Sequence, residues 1–388
     1  MRFSRIMLRD WKNFGEADVA LANRVFVVGQ NAIGKSNLLD VFRFLRDLAT
    51  AGGGLEKAVD IRGGMKRLRN LHSQGGEAGI RVAVEVADGQ ATWTYDLAFV
   101  ANRAKASPVL VSHEIVRYRE RPSAADKLIL SRPDTLDRKD SDRLSETALE
   151  QISANKNFRP LVEFFRSVRY LHLVPQLIRE GQAVPEGGIG PDSYGRDLLG
   201  RVKACPKATR DRRLGRIQKL LNVAVPYLKD LALSNDNLGH PHLQVKFSHW
   251  RGFEAHQDEK QFSDGTLRLI GLLWSLQDKD GPLLLEEPEL SLHTGLLQTL
   301  APFISAEQKA SGRKQVMLST HSEALIGDEG IAPEEILFIR IGKKGSELVA
   351  AATVPDIVYE MNNGFTAAEA VMPRAKLGQG DFLSVAER

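Results

Sequence analysis

Gly29-Gln30-Asn31-Ala32-Ile33-Gly34-Lys35-Ser36 fits G-x-x-x-x-G-K-[ST], the pattern of a loop that wraps the phosphates of a nucleotide. Its neighbours supply the geometry this chemistry needs. Before it, Arg24-Val25-Phe26-Val27-Val28 is an apolar, β-branched run that reads as a buried strand. After it, residues 37–45 carry apolar side chains at helical spacing. In a strand–loop–helix unit the glycines let backbone N–H groups converge on phosphate oxygens, and the helix N-terminus adds its positive end. Lys35 is then expected to reach the β- and γ-phosphates and Ser36 to hold Mg²⁺. Gly29, Asn31, Gly34 and Asn37 are the further candidates for contact with the nucleotide.

At 388 residues the chain is long enough for two or three lobes. With 43% hydrophobic and 26% charged residues its composition is that of an ordinary globular protein. No apolar run approaches the length of a membrane helix, and residues 1–6 lack the apolar core of a secretion signal. The single cysteine, Cys205, excludes an intramolecular disulfide and fits a reducing compartment. A cytoplasmic protein is expected. The net charge of +4 permits contact with nucleic acid without requiring it.

Residues 3–14 and 17–21 read as short strands. The glycine-rich stretch 51–79 reads as an irregular connection with a basic segment, 62–69. Ile80, Val82, Val84 and Val86 alternate, an Asp88-Gly89 turn follows, and Trp93, Tyr95, Leu97 and Phe99 alternate again, which predicts a hairpin. Residues 109–118 and 128–130 extend the same antiparallel sheet. Between 132 and 143 the chain turns Asp-rich and reads as a surface excursion. From 146 to 230 the period is helical, with no sustained heptads. Residues 231–233 and 243–247 read as strands returning to a sheet.

Gly281-Pro282-Leu283-Leu284-Leu285-Glu286-Glu287-Pro288-Glu289 is a buried strand ending in acids, or a strand running into an acidic loop. In the first case Glu286 faces Mg²⁺ and Glu287 polarises the attacking water as general base. Upstream, Phe262-Ser263-Asp264-Gly265-Thr266 opens a helix, either as a plain N-cap or as a second anion site. Downstream, Gln315-Val316-Met317-Leu318-Ser319-Thr320-His321-Ser322 is another buried strand, whose terminal His321 is either structural or in reach of the γ-phosphate.

These four stretches, in this order, resemble the ABC-type ATPases of the RecF, SMC and OLD branch. The likeness is greatest to compact bacterial AAA-family (AAA_21-like) ATPases, whose Glu-Glu-Pro-Glu followed by Leu-His is matched by Glu286 to Glu289, Leu292 and His293. The resemblance implies an α/β P-loop NTPase fold: a two-lobed head with an antiparallel sheet and a helical insertion. The lobes expected are 1–132, with the phosphate loop, and 231–345, with the signature, acidic strand and histidine. A mainly helical insertion, 133–230, lies between them, and a tail, 346–388, follows. It implies ATP and Mg²⁺ as ligands, and a head-to-tail homodimer or higher even oligomer. Ser263 and Gly265 would then meet ATP bound to the second copy, and residues 290–293 would lie where the family's D-loop crosses the interface. Gln74 is a candidate for the family's metal-binding Q-loop glutamine, or a polar residue in a glycine-rich loop.

Lys207, Arg210, Arg212, Arg213, Arg216 and Lys219 crowd one segment and form either a phosphate-binding face for DNA or a solvated helix face. The 66 residues after Ser322 show no Asp-x-Asp with a partner Glu, so no built-in nuclease is expected. The resemblance favours the sensor/motor ATPase of a bacterial antiphage system with a separately encoded effector such as a nuclease. A RecF-like DNA-repair ATPase and a non-hydrolysing ATP-dependent scaffold are the alternatives. A transporter subunit is disfavoured by the Ser-Asp-Gly-Thr signature and the lack of a membrane segment.

Overall fold

A computed structural model describes residues 1–71, 79–102, 108–181, 190–224, 228–248, 254–278, 281–310, 312, 314–342 and 345–375. Among the described residues fifteen strands form two sheets. The strands are β1 (Arg2–Trp11), β2 (Phe14–Ala20), β3 (Arg24–Val28), β4 (Ile80–Asp88), β5 (Ala91–Ala101), β6 (Val109–Arg119), β7 (Lys127–Arg132) and β8 (Arg169–Leu171). They continue with β9 (Leu228–Asn235), β10 (Pro241–Ser248), β11 (Glu254–Asp258), β12 (Leu283–Glu286), β13 (Val316–Thr320), β14 (Ile336–Gly342) and β15 (Gly345–Ala350). Twelve of them make one sheet in the order β7-β6-β5-β4-β1-β2-β15-β14-β3-β13-β12-β8; β11-β10-β9 is separate.

The large sheet has two chemical halves. From β7 to β1 the neighbours are antiparallel and alternate, as β1 does with Phe3, Ile6 and Leu8 buried. From β14 through β3, β13 and β12 to β8 every pair is parallel. These strands are covered on both faces, which is why β3 and β13 are buried at every position and carry the apolar runs Val25–Val28 and Val316–Leu318. Period two then divides their side chains between two cores. Val25, Val27, Leu284 and Met317 join the core that holds the phosphate-loop helix, Lys35–Ala49. Phe26, Val28, Leu283, Leu285, Val316 and Leu318 join the core that holds the helix Asp264–Leu276. The two helices therefore lie on opposite faces of the parallel half.

The structure differs from the sequence reading in four places. Stretch 51–79 carries two short helices, Leu55–Asp60 and Met65–Leu68, and its Arg62 is buried against Asp40 and Asp47. The Asp-rich excursion is anchored. Asp134 and Asp137 form a capping box on the helix Thr135–Lys139, and hydrogen bonds from buried Arg132 hold the Asp137 carboxyl well below the usual range. The helical region 146–230 contains β8, an edge strand of the large sheet, because Arg169-Tyr170-Leu171 pairs with β12. Finally, β9 and β10 build the small sheet rather than rejoin the large one. Among the described residues no helix is long and apolar enough to cross a membrane.

Candidate functional site

Four parallel strands end on one edge of the sheet. Register pairs Val28 with Thr320, Ser319 with Glu286, and Leu285 with Leu171. The phosphate loop, His321, Glu286-Glu287 and the chain after β8 thus leave from neighbouring strand ends, the crevice where open α/β sheets bind ligands.

The loop's shape has a local cause. Ala32 and Gly34 take positive φ, 63° and 115°. A Cβ on Gly34 would lie 1.9 Å from Asn13 Nδ2, so only glycine fits. Asn13, in the turn between β1 and β2, donates from Nδ2 to Ile33 O (2.6 Å) and Ser346 Oγ (2.6 Å). Asn37 donates from Nδ2 to Asn13 Oδ1 at 2.7 Å, and Asn31 is exposed. Gly29 is tight as well, since a Cβ there would stand 2.8 Å from Ile33 Cγ2. Asn13 and Ser346 were missed in the sequence because their role exists only once three distant segments meet. The helix Lys35–Ala49 has no side-chain cap and no acid in its first turn, so its N-terminal N–H groups remain suited to an anion.

Lys35 is 4% exposed, and its Nζ donates to Gly29 O (2.9 Å) and Gln30 O (3.0 Å). Burial pushes its pKa down, while Glu287 and Glu289 pull the other way. Ser36 Oγ donates to Glu286 Oε1, and burial raises the Glu286 pKa. A hydroxyl beside a carboxylate is an oxygen-only donor set, which suits Mg²⁺. Among the described residues no group of three or more His, Cys, Asp or Glu could hold a metal. Phosphate oxygens and water would complete the shell, as Mg²⁺ prefers.

Glu287 has φ +42°, a conformation uncommon for a residue with a side chain. Its N–H is held by Ser319 O and Oγ, each at 3.2 Å. The turn sets Glu287 Oε1 3.6 Å from Lys35 Nζ and 3.5 Å from His321 Nδ1. Lys35, Ser36, Glu286, Glu287 and His321 are therefore one cluster.

Ser263 and Gly265 are elsewhere in the chain. Ser263 caps the helix Asp264–Leu276, its Oγ accepting from Thr266 N at 3.2 Å. Among the described residues no hydrogen bond or ion pair joins either residue to the Lys35 loop. Gly265 packs on the loop after β12, where a Cβ would meet Ser291 O at 2.4 Å. Arg268 Nη1 donates to Leu290 O at 2.9 Å across the same contact. Arg179 and Gln176 donate to the two oxygens of Asp264, at 2.5 and 3.0 Å. Gln74 lies outside the described residues. The chain leaving β8, the outer neighbour of the acidic strand, leads to the helix Pro175–Glu180, which carries Gln176 and Arg179.

The basic segment forms the helix Lys207–Ala224, and the structure splits it. Arg213 faces inward, with Nη1 2.9 Å from Asp278 Oδ1 and its guanidinium over Trp274. Arg210 lies 3.6 Å from Asp211 and Arg216 3.7 Å from Glu307. Lys207, Arg212, Arg216 and Lys219 are exposed.

The family described as "AAA domain, putative AbiEii toxin, Type IV TA system" matches residues 24–327, a span that starts at β3 and runs past His321. No curated protein matches the chain significantly. Among solved structures, the SMC head domain from Thermotoga maritima is 13% identical, with 90% of this chain and 99% of that one covered and a TM-score of 0.43. An SMC head bound to the C-winged helix domain of ScpA is 14% identical over 90% and 98%, with a TM-score of 0.49. The Smc head domain bound to the C-terminal domain of ScpA, derived from Pyrococcus furiosus, is 12% identical over 93% and 99%, with a TM-score of 0.47.

Proposed function

The chain belongs to the AAA-domain family that matches its residues 24–327, and from that membership and the cluster around Lys35 we propose an ATPase that dimerises on ATP and opens on hydrolysis. The observation that carries this reading is Glu287 Oε1, 3.6 Å from Lys35 Nζ and 3.5 Å from His321 Nδ1. A carboxylate beside the phosphate-binding lysine supports a role for Glu287 as the general base.

In this reading Lys35 exchanges the carbonyls of Gly29 and Gln30 for β- and γ-phosphate oxygens. The uncapped helix start at Lys35 and the loop N–H groups hold the remaining phosphate charge. Ser36 and Glu286 would hold Mg²⁺, which when bound neutralises charge on the phosphate oxygens. Glu287 orients the attacking water and takes its proton, and His321 contacts the γ-phosphate. Positioning and charge stabilisation then provide the catalysis. Ser263 and Gly265 ride the face opposite the phosphate-loop helix, which supports their meeting the nucleotide of a second copy.

The family description names a "Type IV TA system", which supports a setting with a separately encoded partner. We place the protein as the sensor/motor ATPase of an antiphage complex whose effector, such as a nuclease, is another chain. The exposed Lys207, Arg212, Arg216 and Lys219 favour a second reading, a RecF-like ATPase that grips DNA itself. Purification of Glu287→Gln with ATP and Mg²⁺, beside a turnover assay of the wild type with and without DNA, tests the two. A co-purifying protein supports the first, whereas DNA-stimulated turnover without any partner supports the second. Wild-type ATP turnover abolished by Glu287→Gln excludes a non-hydrolysing scaffold.

A further inference from the structure

Glu289 has no part in the chemistry above, yet it is the more deeply buried of the two carboxylates facing His321. Its side chain is 5% exposed, against 24% for Glu287. Burying a carboxylate is costly unless its oxygens find donors. Oε1 finds two: Thr320 Oγ1 at 2.6 Å and His321 N at 3.0 Å. Oε2 is buried with no hydrogen-bond partner among the described residues. Thr320 Oγ1 in turn accepts from Ser322 N at 3.0 Å. One oxygen of Glu289 thus ties down the turn that follows β13, and with it the backbone of His321.

The ring of His321 is freer, with its side chain 41% exposed, and Nδ1 stands 3.5 Å from Glu287 Oε1 and 3.5 Å from Glu289 Oε1. On its other side Glu289 belongs to the loop after β12. Its carbonyl accepts from Leu292 N at 3.0 Å, and that loop is braced by Arg268 on Leu290 O and packed under Gly265. Among the described residues, Glu289 is the one that is both part of the loop running to His293 and hydrogen-bonded to the backbone of His321.

We propose that Glu289 is a positioning residue that holds His321 beside Glu287, so that a second copy pressing on residues 290–293 adjusts the histidine through it. This rests on the ATPase reading for its consequence, though not for its geometry. A carboxylate that merely filled space would leave the ring where it is when removed. A positioning carboxylate releases it, and an amide that keeps one acceptor oxygen restores it.

The test compares Glu289→Ala and Glu289→Gln with the wild type by turnover, ATP affinity and the imidazole resonances of His321. Turnover in Glu289→Ala is expected to fall about 10–100-fold, with ATP affinity near wild type, thermal stability lowered because two donors lose their acceptor, and the His321 resonances displaced. Glu289→Gln is expected to recover most of the rate and the wild-type resonances. Should Glu289→Ala not fold, Thr320→Val removes one donor to the same oxygen and is expected to move the resonances in the same sense. Unchanged His321 resonances in the folded variants overturn the proposal, as does a Gln variant as impaired as Ala. A wild type that turns over no ATP sinks the ATPase reading instead, and the resonances still decide the role of Glu289.

Discussion

Ser36 Oγ donates a hydrogen bond to Oε1 of Glu286, a residue 250 positions further along the chain. The bond joins the start of the phosphate-loop helix to the end of β12, and β13 lies between the strands that lead there. Both oxygens are suited to Mg²⁺, so Ser36→Ala should raise the Mg²⁺ concentration for half-maximal ATP turnover about tenfold or more. A titration of activity with Mg²⁺ checks this, and an unchanged midpoint would remove Ser36 from the metal site.

Gly34→Ala should destabilise the protein by about 2 kcal/mol or more, since it combines φ +115° with a Cβ 1.9 Å from Asn13 Nδ2. Asn13→Ala relieves the clash but also frees the loop from its brace. The double variant should therefore cost less than the two single losses added together. Urea unfolding of the four proteins measures that coupling.

Stability should fall in acid through Asp40. Burial alone would raise its pKa, but Arg62 and Lys12 outweigh it and bring the value down from 3.8 to about 2. The lowered folded-state pKa means that the contribution is complete above pH ~4 and disappears as the pH falls towards ~2, an amount on the order of 2 kcal/mol. Asp40→Asn should be less stable than wild type at neutral pH, and the difference should shrink across that window. Unfolding at a series of pH values shows whether it does.

Arg179 holds Asp264 in the first turn of the helix that Ser263 caps. In the proposed dimer, Arg179→Ala should leave ATP binding by the single chain intact and lower turnover, because it would loosen only the surface offered to the second copy. Isothermal titration set beside a turnover assay separates the two effects. Weakened ATP binding would place Arg179 in the nucleotide site of its own chain.

The central strands β3, β12 and β13 are legible because they are buried on both faces and so read as apolar runs, Val25–Val28 and Leu283–Leu285 among them. The phosphate loop was legible because Gly34-Lys35-Ser36 is a local requirement of one turn. What escaped depends on contacts between distant segments. Asn13 reads as an ordinary turn residue until Ile33 and Ser346 surround it. β8 is three residues long and becomes a strand only against β12. Charge patterns misled where pairs are internal: Arg62, Asp137 and Arg213 look solvated in sequence, and each has an opposite charge within hydrogen-bonding reach. Glu289 belongs to the acidic motif after β12, but its bond to the His321 backbone cannot be read from spacing.

The proposed ATPase cycle requires two copies to complete each other's site, and a mixing experiment tests that most directly. Lys35→Ala lacks the lysine of its own phosphate loop, and Ser263→Arg blocks the surface it offers to a partner, so each alone should be inactive. Mixed in equal amounts with ATP and Mg²⁺, they should form heterodimers with one intact site and recover about a quarter of wild-type turnover, as random pairing in a two-fold assembly requires. No recovery from the mixture, or a Ser263→Arg variant that alone is as active as wild type, would contradict the account.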